Sequence, residues 1–126
     1  MAAILRELKD RTGIITLNSP EKRNALSLEM CGELCEALEN FKSLKAPAVI
    51  IRAPRDARVW SSGHDIRQLP KVSHDPLPYD SPMERVLRAI QEYPGAVIAM
   101  VQGGVWGGAS DIIVTCDIAI GDETST

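Results

Sequence analysis

The sequence predicts an α/β fold built on a parallel sheet, and three observations carry that prediction. Two apolar runs, Ala48-Val49-Ile50-Ile51 and Ala96-Val97-Ile98-Ala99-Met100-Val101, lack alternating polar residues, the pattern of strands covered on both faces. Segments with helical apolar spacing, Leu28 to Phe41 and Val86 to Ile90, fall between the extended ones, so strand and helix take turns along the chain. Each apolar run is followed by a turn of small residues, Ser61-Ser62-Gly63 after the first and Gly107-Gly108-Ala109 after the second.

The elements follow in order. Ile4 to Leu8 and Gly13 to Leu17 flank a charged stretch ending in a glycine, which predicts an antiparallel hairpin. Asn18 to Asn24 has the polar, proline-bearing composition of a loop, with Lys22 and Arg23 as a basic turn. Ser27 is placed to cap the next helix, with Glu29 and Glu33 near its positive end. Leu28, Cys31, Leu34, Cys35, Leu38 and Phe41 recur at helical spacing and make its buried face. Pro47 starts the strand from Ala48 to Ile51, and Arg55-Asp56-Ala57-Arg58 is a charged loop beyond it. Val59 to Ile66 reads as a small-residue turn leading into a short helix. Leu69 to Asp80 holds Pro70, Pro76 and Pro78 and reads as a surface loop, either a lid over a site or a plain connector. Ser81-Pro82-Met83-Glu84 is a capping box with proline at the first helical position. Val86, Leu87 and Ile90 form that helix's buried face, and Tyr93-Pro94-Gly95 ends it. After the strand from Ala96 to Val101 come the second small-residue turn, a helix through Asp111 to Cys116, and one more strand, Asp117 to Ile120.

Composition bounds the function. With 126 residues, 44% hydrophobic and 25% charged, the chain has enough apolar material for one globular domain. A net charge of −3 gives no support for a basic nucleic-acid surface. No apolar run reaches the length of a membrane span, and Met1-Ala2-Ala3-Ile4-Leu5-Arg6 lacks a secretory-signal pattern. Cys31, Cys35 and Cys116 have neither metal-ligand spacing nor an even number for disulfides, so a reduced, cytoplasmic protein is expected and no metal site.

The candidate chemistry sits in the second turn, Val105-Trp106-Gly107-Gly108-Ala109-Ser110-Asp111. A helix N-terminus presents unpaired N–H groups and a partial positive charge, and glycines let another molecule approach the backbone. The glycines serve either close helix–strand packing or a bound anion or developing oxyanion. The first turn, Ser61-Ser62-Gly63-His64-Asp65-Ile66, could meet it at one crevice outside the strand ends, each turn offering one N–H to one oxygen.

Ser62-Gly63-His64-Asp65 with Gly107-Gly108-Ala109-Ser110-Asp111, together with Asn24-Ala25-Leu26 and Cys116-Asp117, resembles the crotonase (enoyl-CoA hydratase/isomerase) superfamily. Within it, Ser62-Gly63-His64-Asp65-Ile66, Asp75-Pro76-Leu77, Tyr79-Asp80 and Val105-Trp106-Gly107-Gly108-Ala109 look most like its methylmalonyl-CoA decarboxylase branch. The resemblance covers essentially the whole chain and implies that residues 1–126 are the N-terminal part of a single crotonase-like domain, a spiral of ββα units. It implies an acyl-CoA substrate, coenzyme A being part of that substrate and no further cofactor being used. It also implies assembly into a homotrimer or a dimer of trimers, without nucleic acid or membrane partners.

By the same resemblance the backbone amides of His64 and Gly108 form the oxyanion hole. The backbone of Lys22, Arg23 and Ala25 lies against the adenine end of coenzyme A with the two basic side chains near its phosphates. Ser62, Gly63, Asp65 and Ile66 line the substrate. On the residues alone, Lys22 and Arg23 equally suit a solvated basic turn, and the His64 imidazole is either packed or turned to a substrate carboxylate. Asp111 stands where related enzymes carry a glutamate acting as acid, base or positioning group; a solvated aspartate near a helix N-terminus fits the position as well. The proton donor of the decarboxylases is implied to be a tyrosine beyond Thr126, which neither Tyr79 nor Tyr93 matches. The function implied is decarboxylation of methylmalonyl-CoA or a similar malonyl-type thioester through an enolate. Enoyl-CoA hydration or isomerisation, or acyl-CoA binding without catalysis, is the alternative, and these 126 residues alone are expected to have little activity.

Overall fold

In a computed structural model of the chain, residues 2–64 and 81–126 are described. Strands β1 (Ile4–Lys9) and β2 (Thr12–Leu17) pair antiparallel as the expected hairpin, with Asp10 and Arg11 at positive φ in the two-residue turn. A 3-10 turn, Pro20–Lys22, falls in the loop that follows. Helix α1 (Leu28–Ser43) begins at Ser27, whose hydroxyl accepts a hydrogen bond from the Met30 amide. Then come β3 (Ala48–Arg52), β4 (Val59–Ser61) and α2 (Pro82–Glu92), the last capped by Ser81 with Pro82 in the first turn. The chain continues through β5 (Ala96–Val101), β6 (Gly104–Val105), α3 (Gly108–Thr115) and β7 (Ile118–Gly121). The run β1-β2-α1, β3-β4-α2, β5-β6-α3 repeats one ββα unit three times, as the resemblance implies.

The main sheet has the order β1-β2-β3-β5-β7, parallel from β2 onward. Its register lines up Gly13, Val49 and Val97 in one row and Ile15, Ile51 and Ala99 in the next, all buried. Against β1 and β2 lies α1, which also packs on α2, and α2 packs on α3. Phe41 of α1 sits directly over Gly13, where a β-carbon would come within 2.7 Å of its ring. Deeply buried aliphatic and aromatic side chains of this kind each contribute about 1.5–3 kcal/mol, so the sheet–helix layer is the main source of stability.

Two expectations are corrected. The strands β3 and β5 are fully buried on one face only; the alternate residues Ala48, Ile50, Ala96 and Ile98 are half-buried, because among the described residues the helices lie on one side of the sheet. An apolar run therefore does not guarantee cover on both faces. On α1, Leu28 is 54% exposed, and the buried face is instead Met30, Cys31, Leu34, Ala37, Leu38 and Phe41, with Cys35 at its margin. Leu28 is the first residue of the helix. On α2 the buried residues are Met83, Val86 and Ile90, with Leu87 half-buried. Among the described residues no helix is long and apolar enough to cross a membrane.

Candidate functional site

The two small-residue turns lie side by side, joined by a sheet that the sequence did not reveal. Val59 to Ser61, expected as part of a turn, is β4, and it pairs in parallel with β6. The Trp60 indole is fully buried and donates its N–H to the Met100 carbonyl at 2.9 Å, tying β4 to β5. The Trp106 amide donates to the Ser61 carbonyl at 3.2 Å, which brings the start of the second turn onto the end of β4.

Contact between the turns is close. At Gly63, φ is +88° and a β-carbon would lie 2.5 Å from the Trp106 carbonyl oxygen and 3.2 Å from the Gly108 nitrogen. Glycine is required on both counts. At Gly108 a β-carbon would meet the His64 imidazole at 2.7 Å, so the half-buried ring lies over that glycine. Gly107, with φ +53°, precedes the helix as its N-cap and offers no side-chain cap. The amide of Gly108 at the start of α3 is therefore left without a cap.

Most amides of the two turns are already engaged. Ser62 N–H donates to the Arg23 carbonyl at 3.0 Å, and Gly63 N–H to the Ser61 hydroxyl at 3.2 Å. Ala109 N–H donates to Trp106 and Ser110 N–H to Gly107. The amides of His64, Gly107 and Gly108 have no acceptor among the described residues.

A third segment joins from the loop before α1. Asn24, 2% exposed and at φ +52 to +53° with its neighbour Arg23, accepts from the Ser19 amide through Oδ1 at 2.8 Å and donates through Nδ2 to the Trp60 carbonyl at 3.1 Å. The Ser61 hydroxyl donates to the Asn24 carbonyl at 2.7 Å, and the Leu26 amide to the Gly63 carbonyl at 2.7 Å. Lys22 and Arg23 are exposed, Ala25 is buried, and Ser62 reaches the Lys22 carbonyl through its hydroxyl at 3.4 Å. Arg23 and Asn24 line a cavity of about 510 Å³ with Arg55, Asp56 and Arg58, so three guanidinium-bearing residues meet at one opening. The Gln102 amide holds the Pro54, Arg55 and Ala57 carbonyls of that loop.

Of the residues singled out from the sequence, Lys22, Arg23, Ala25, Ser62, Gly63, His64 and Gly108 are gathered around these turns. Asp111 is exposed in the first turn of α3, and its carboxylate makes no hydrogen bond among the described residues. Asp65, Ile66 and the expected loop from Leu69 to Asp80 lie outside the described residues. Sequence reasoning missed Ser61, the structural role of Asn24, and the arginines of the 55–58 loop. Only the β4–β6 pairing tells which of two adjacent serines turns inward, and that pairing has no local signal.

The cysteines are not part of this chemistry. Cys31 is pushed up to about 12, first by burial and then by the neighbouring Cys35; Cys116 is pushed up to about 12 by burial and by Asp117. Both remain thiols at neutral pH. Among the described residues no group of His, Cys, Asp and Glu could hold a metal ion.

Comparison with known proteins agrees with this geometry. The chain is 40% identical over 117 residues to methylmalonyl-CoA decarboxylase of Escherichia coli (strain K12), covering 93% of this chain and 45% of that protein. It is 38% identical over 116 residues to the mitochondrial enoyl-CoA hydratase domain-containing protein 3 of Danio rerio, covering 89% of this chain and 39% of that one. It spans less than half the length of these relatives. A solved structure of methylmalonyl-CoA decarboxylase complexed with 2S-carboxypropyl CoA superposes with a TM-score of 0.93 at 37% identity, covering 99% of this chain and 48% of that chain. Another, in complex with 2-nitronate-propionyl-CoA, gives 0.92 at 37% identity over 98% of this chain and 47% of that one. The fold is accordingly a crotonase fold, of which the present chain covers about half. The enoyl-CoA hydratase/isomerase family model matches residues 7–126, and the chain belongs to that family.

Proposed function

We propose that this chain forms the enolate-stabilising part of an acyl-CoA lyase that decarboxylates methylmalonyl-CoA or a similar malonyl-type thioester, as the N-terminal portion of a single domain. One observation carries the reading. Two turns far apart in sequence are clasped by the β4–β6 pairing, and the backbone N–H groups of His64 in the first and of Gly107 and Gly108 in the second have no acceptor among the described residues.

Loss of CO2 from the carbon next to a thioester carbonyl leaves an enolate, with negative charge on the thioester oxygen. Two preorganised N–H donors stabilise that charge by about 3–4 kcal/mol each in sites where single donors have been removed. The N-terminus of α3 adds a favourable field for the same charge. The departing carboxylate leaves its electron pair on the carbonyl system, so no base is needed for this step. Protonation of the enolate carbon then requires an acid. Arg23, Arg55 and Arg58 around one cavity, with the exposed Lys22 next to Arg23 in the chain, suit the phosphates of coenzyme A. The complexes of methylmalonyl-CoA decarboxylase with CoA analogues support an acyl-CoA ligand for this fold.

Asp111 favours a second reading, enoyl-CoA hydration or isomerisation. Its free carboxylate stands one helical turn beyond Gly108, and a relative in the family is a hydratase domain-containing protein. An aspartate is one methylene shorter than the glutamate common there, a retraction of about 1.5 Å. Displacements on the order of 1 Å cost about a hundredfold in rate, which weighs toward decarboxylation, where no such base is needed.

The test is a pair of assays on the full-length protein: CO2 release from methylmalonyl-CoA and water addition to crotonyl-CoA. The proposal expects the first and at most traces of the second. Hydration without CO2 release would replace it with the second reading, and CoA binding with neither reaction would make the protein a non-catalytic acyl-CoA binder.

A further inference from the structure

We propose that Ser61 is a positioning residue for this site, one that selects which amide of the first turn is presented to the ligand. The inference rests on the two-amide reading above and deepens it. Ser61 is fully buried and, within the first turn, is bonded to the other two converging segments. Its hydroxyl donates to the Asn24 carbonyl at 2.7 Å and accepts from the Gly63 amide at 3.2 Å, while its carbonyl accepts from the Trp106 amide at 3.2 Å.

The consequence is a division of labour among three consecutive amides. Ser62 N–H is consumed by the Arg23 carbonyl and Gly63 N–H by the Ser61 hydroxyl, so among the described residues His64 N–H is the one that remains. The peptide before His64 is held from its other end as well, because the Gly63 carbonyl accepts from the Leu26 amide at 2.7 Å. Asn24, gripped at Oδ1 and Nδ2, makes the anchor rigid. Without the hydroxyl, the Gly63 amide and the Asn24 carbonyl lose buried partners, and the 62–64 backbone tilts to recover them. Hydrogen bonds weaken steeply with misalignment, so a tilted His64 amide stabilises a charged oxygen less while the remaining contacts to coenzyme A persist.

The experiment measures affinities of the full-length protein and of Ser61→Ala and Ser61→Cys for two ligands by calorimetry. One is propionyl-CoA, with a neutral thioester; the other is 2-nitronate-propionyl-CoA, whose delocalised negative charge mimics the enolate. Wild type is expected to prefer the nitronate. Ser61→Ala should cut that preference by about tenfold or more while propionyl-CoA affinity stays within about twofold, and Ser61→Cys, with a weaker donor and acceptor of similar size, should fall between. If Ser61→Ala does not fold, Ser61→Cys against wild type carries the comparison, with the same direction expected. An unchanged preference in the variants overturns the proposal. An equal loss for both ligands with a lower melting temperature overturns it too, by reducing Ser61 to a fold-holding residue. A wild type with no preference for the nitronate overturns the two-amide reading itself, a distinct result.

Discussion

At Gly63 the backbone conformation and the space available exclude every side chain at once. An alanine there needs both an unfavourable positive φ and a methyl group 2.5 Å from the Trp106 carbonyl. Gly63→Ala is expected to destabilise the fold by about 2–4 kcal/mol, read from the shift in urea midpoint, and to abolish turnover by pushing the two turns apart. A midpoint unchanged by the substitution would show that the turns are not in contact. The buried thiols make a second prediction. Cys31 and Cys116 would ionise near their ordinary 9.0 in the unfolded chain but are held up to about 12 in the fold. Between those values the unfolded state binds fewer protons, so their contribution to stability is complete below pH 9 and is lost as the pH rises toward 12. The melting temperature should therefore fall across that window, and less steeply in a Cys31→Ala/Cys116→Ala double variant. Equal slopes in the two proteins would remove the thiols as the cause.

Among the elements, β7 stands apart because all four of its residues are exposed, Ile118 at 49% and Ile120 at 57%. It is the outermost strand of the main sheet among the described residues. The Ala96 amide donates to the Pro47 carbonyl, so the odd residues of β5 turn their N–H and C=O groups to β7, and alternate residues of a strand turn theirs to the same side. The Asp122 amide, donating to the Val101 carbonyl, continues that alternation with the register Ile98↔Ile118, so Ile118 and Ile120 face β5 with their backbones and Ala119 presents its own to the open edge. A flat apolar edge of this kind recruits another strand. A polypeptide of these 126 residues is expected to associate with increasing concentration in sedimentation velocity, and Ile120→Lys to return it to monomer. A parent polypeptide that stays monomeric throughout would show the edge to be covered. Helices α1 and α2 bury their apolar faces on the sheet and on each other.

For the molecule as a whole, local signals were enough for much of the architecture. The hairpin, the serine caps of α1 and α2, the parallel strands and the succession of strand and helix all follow from residues within a few positions of one another. Turn chemistry, capping and period are local physics, so a single sequence carries them. The motifs around Gly63 and Gly108 also marked where a ligand could approach the backbone. What tertiary structure alone decided is which groups remain free. That the Ser62 amide is spent and the Ser61 hydroxyl is fixed for Gly63, while the His64 amide has no acceptor among the described residues, depends on Arg23 and Asn24 arriving from elsewhere in the chain. The same holds for Leu28 being exposed, for β4 and β6 pairing, and, among the described residues, for the sheet being covered on one side. Each depends on partners remote in sequence, and the availability of a hydrogen bond or of a buried face is a property of the pair, which no run of residues on one segment can specify.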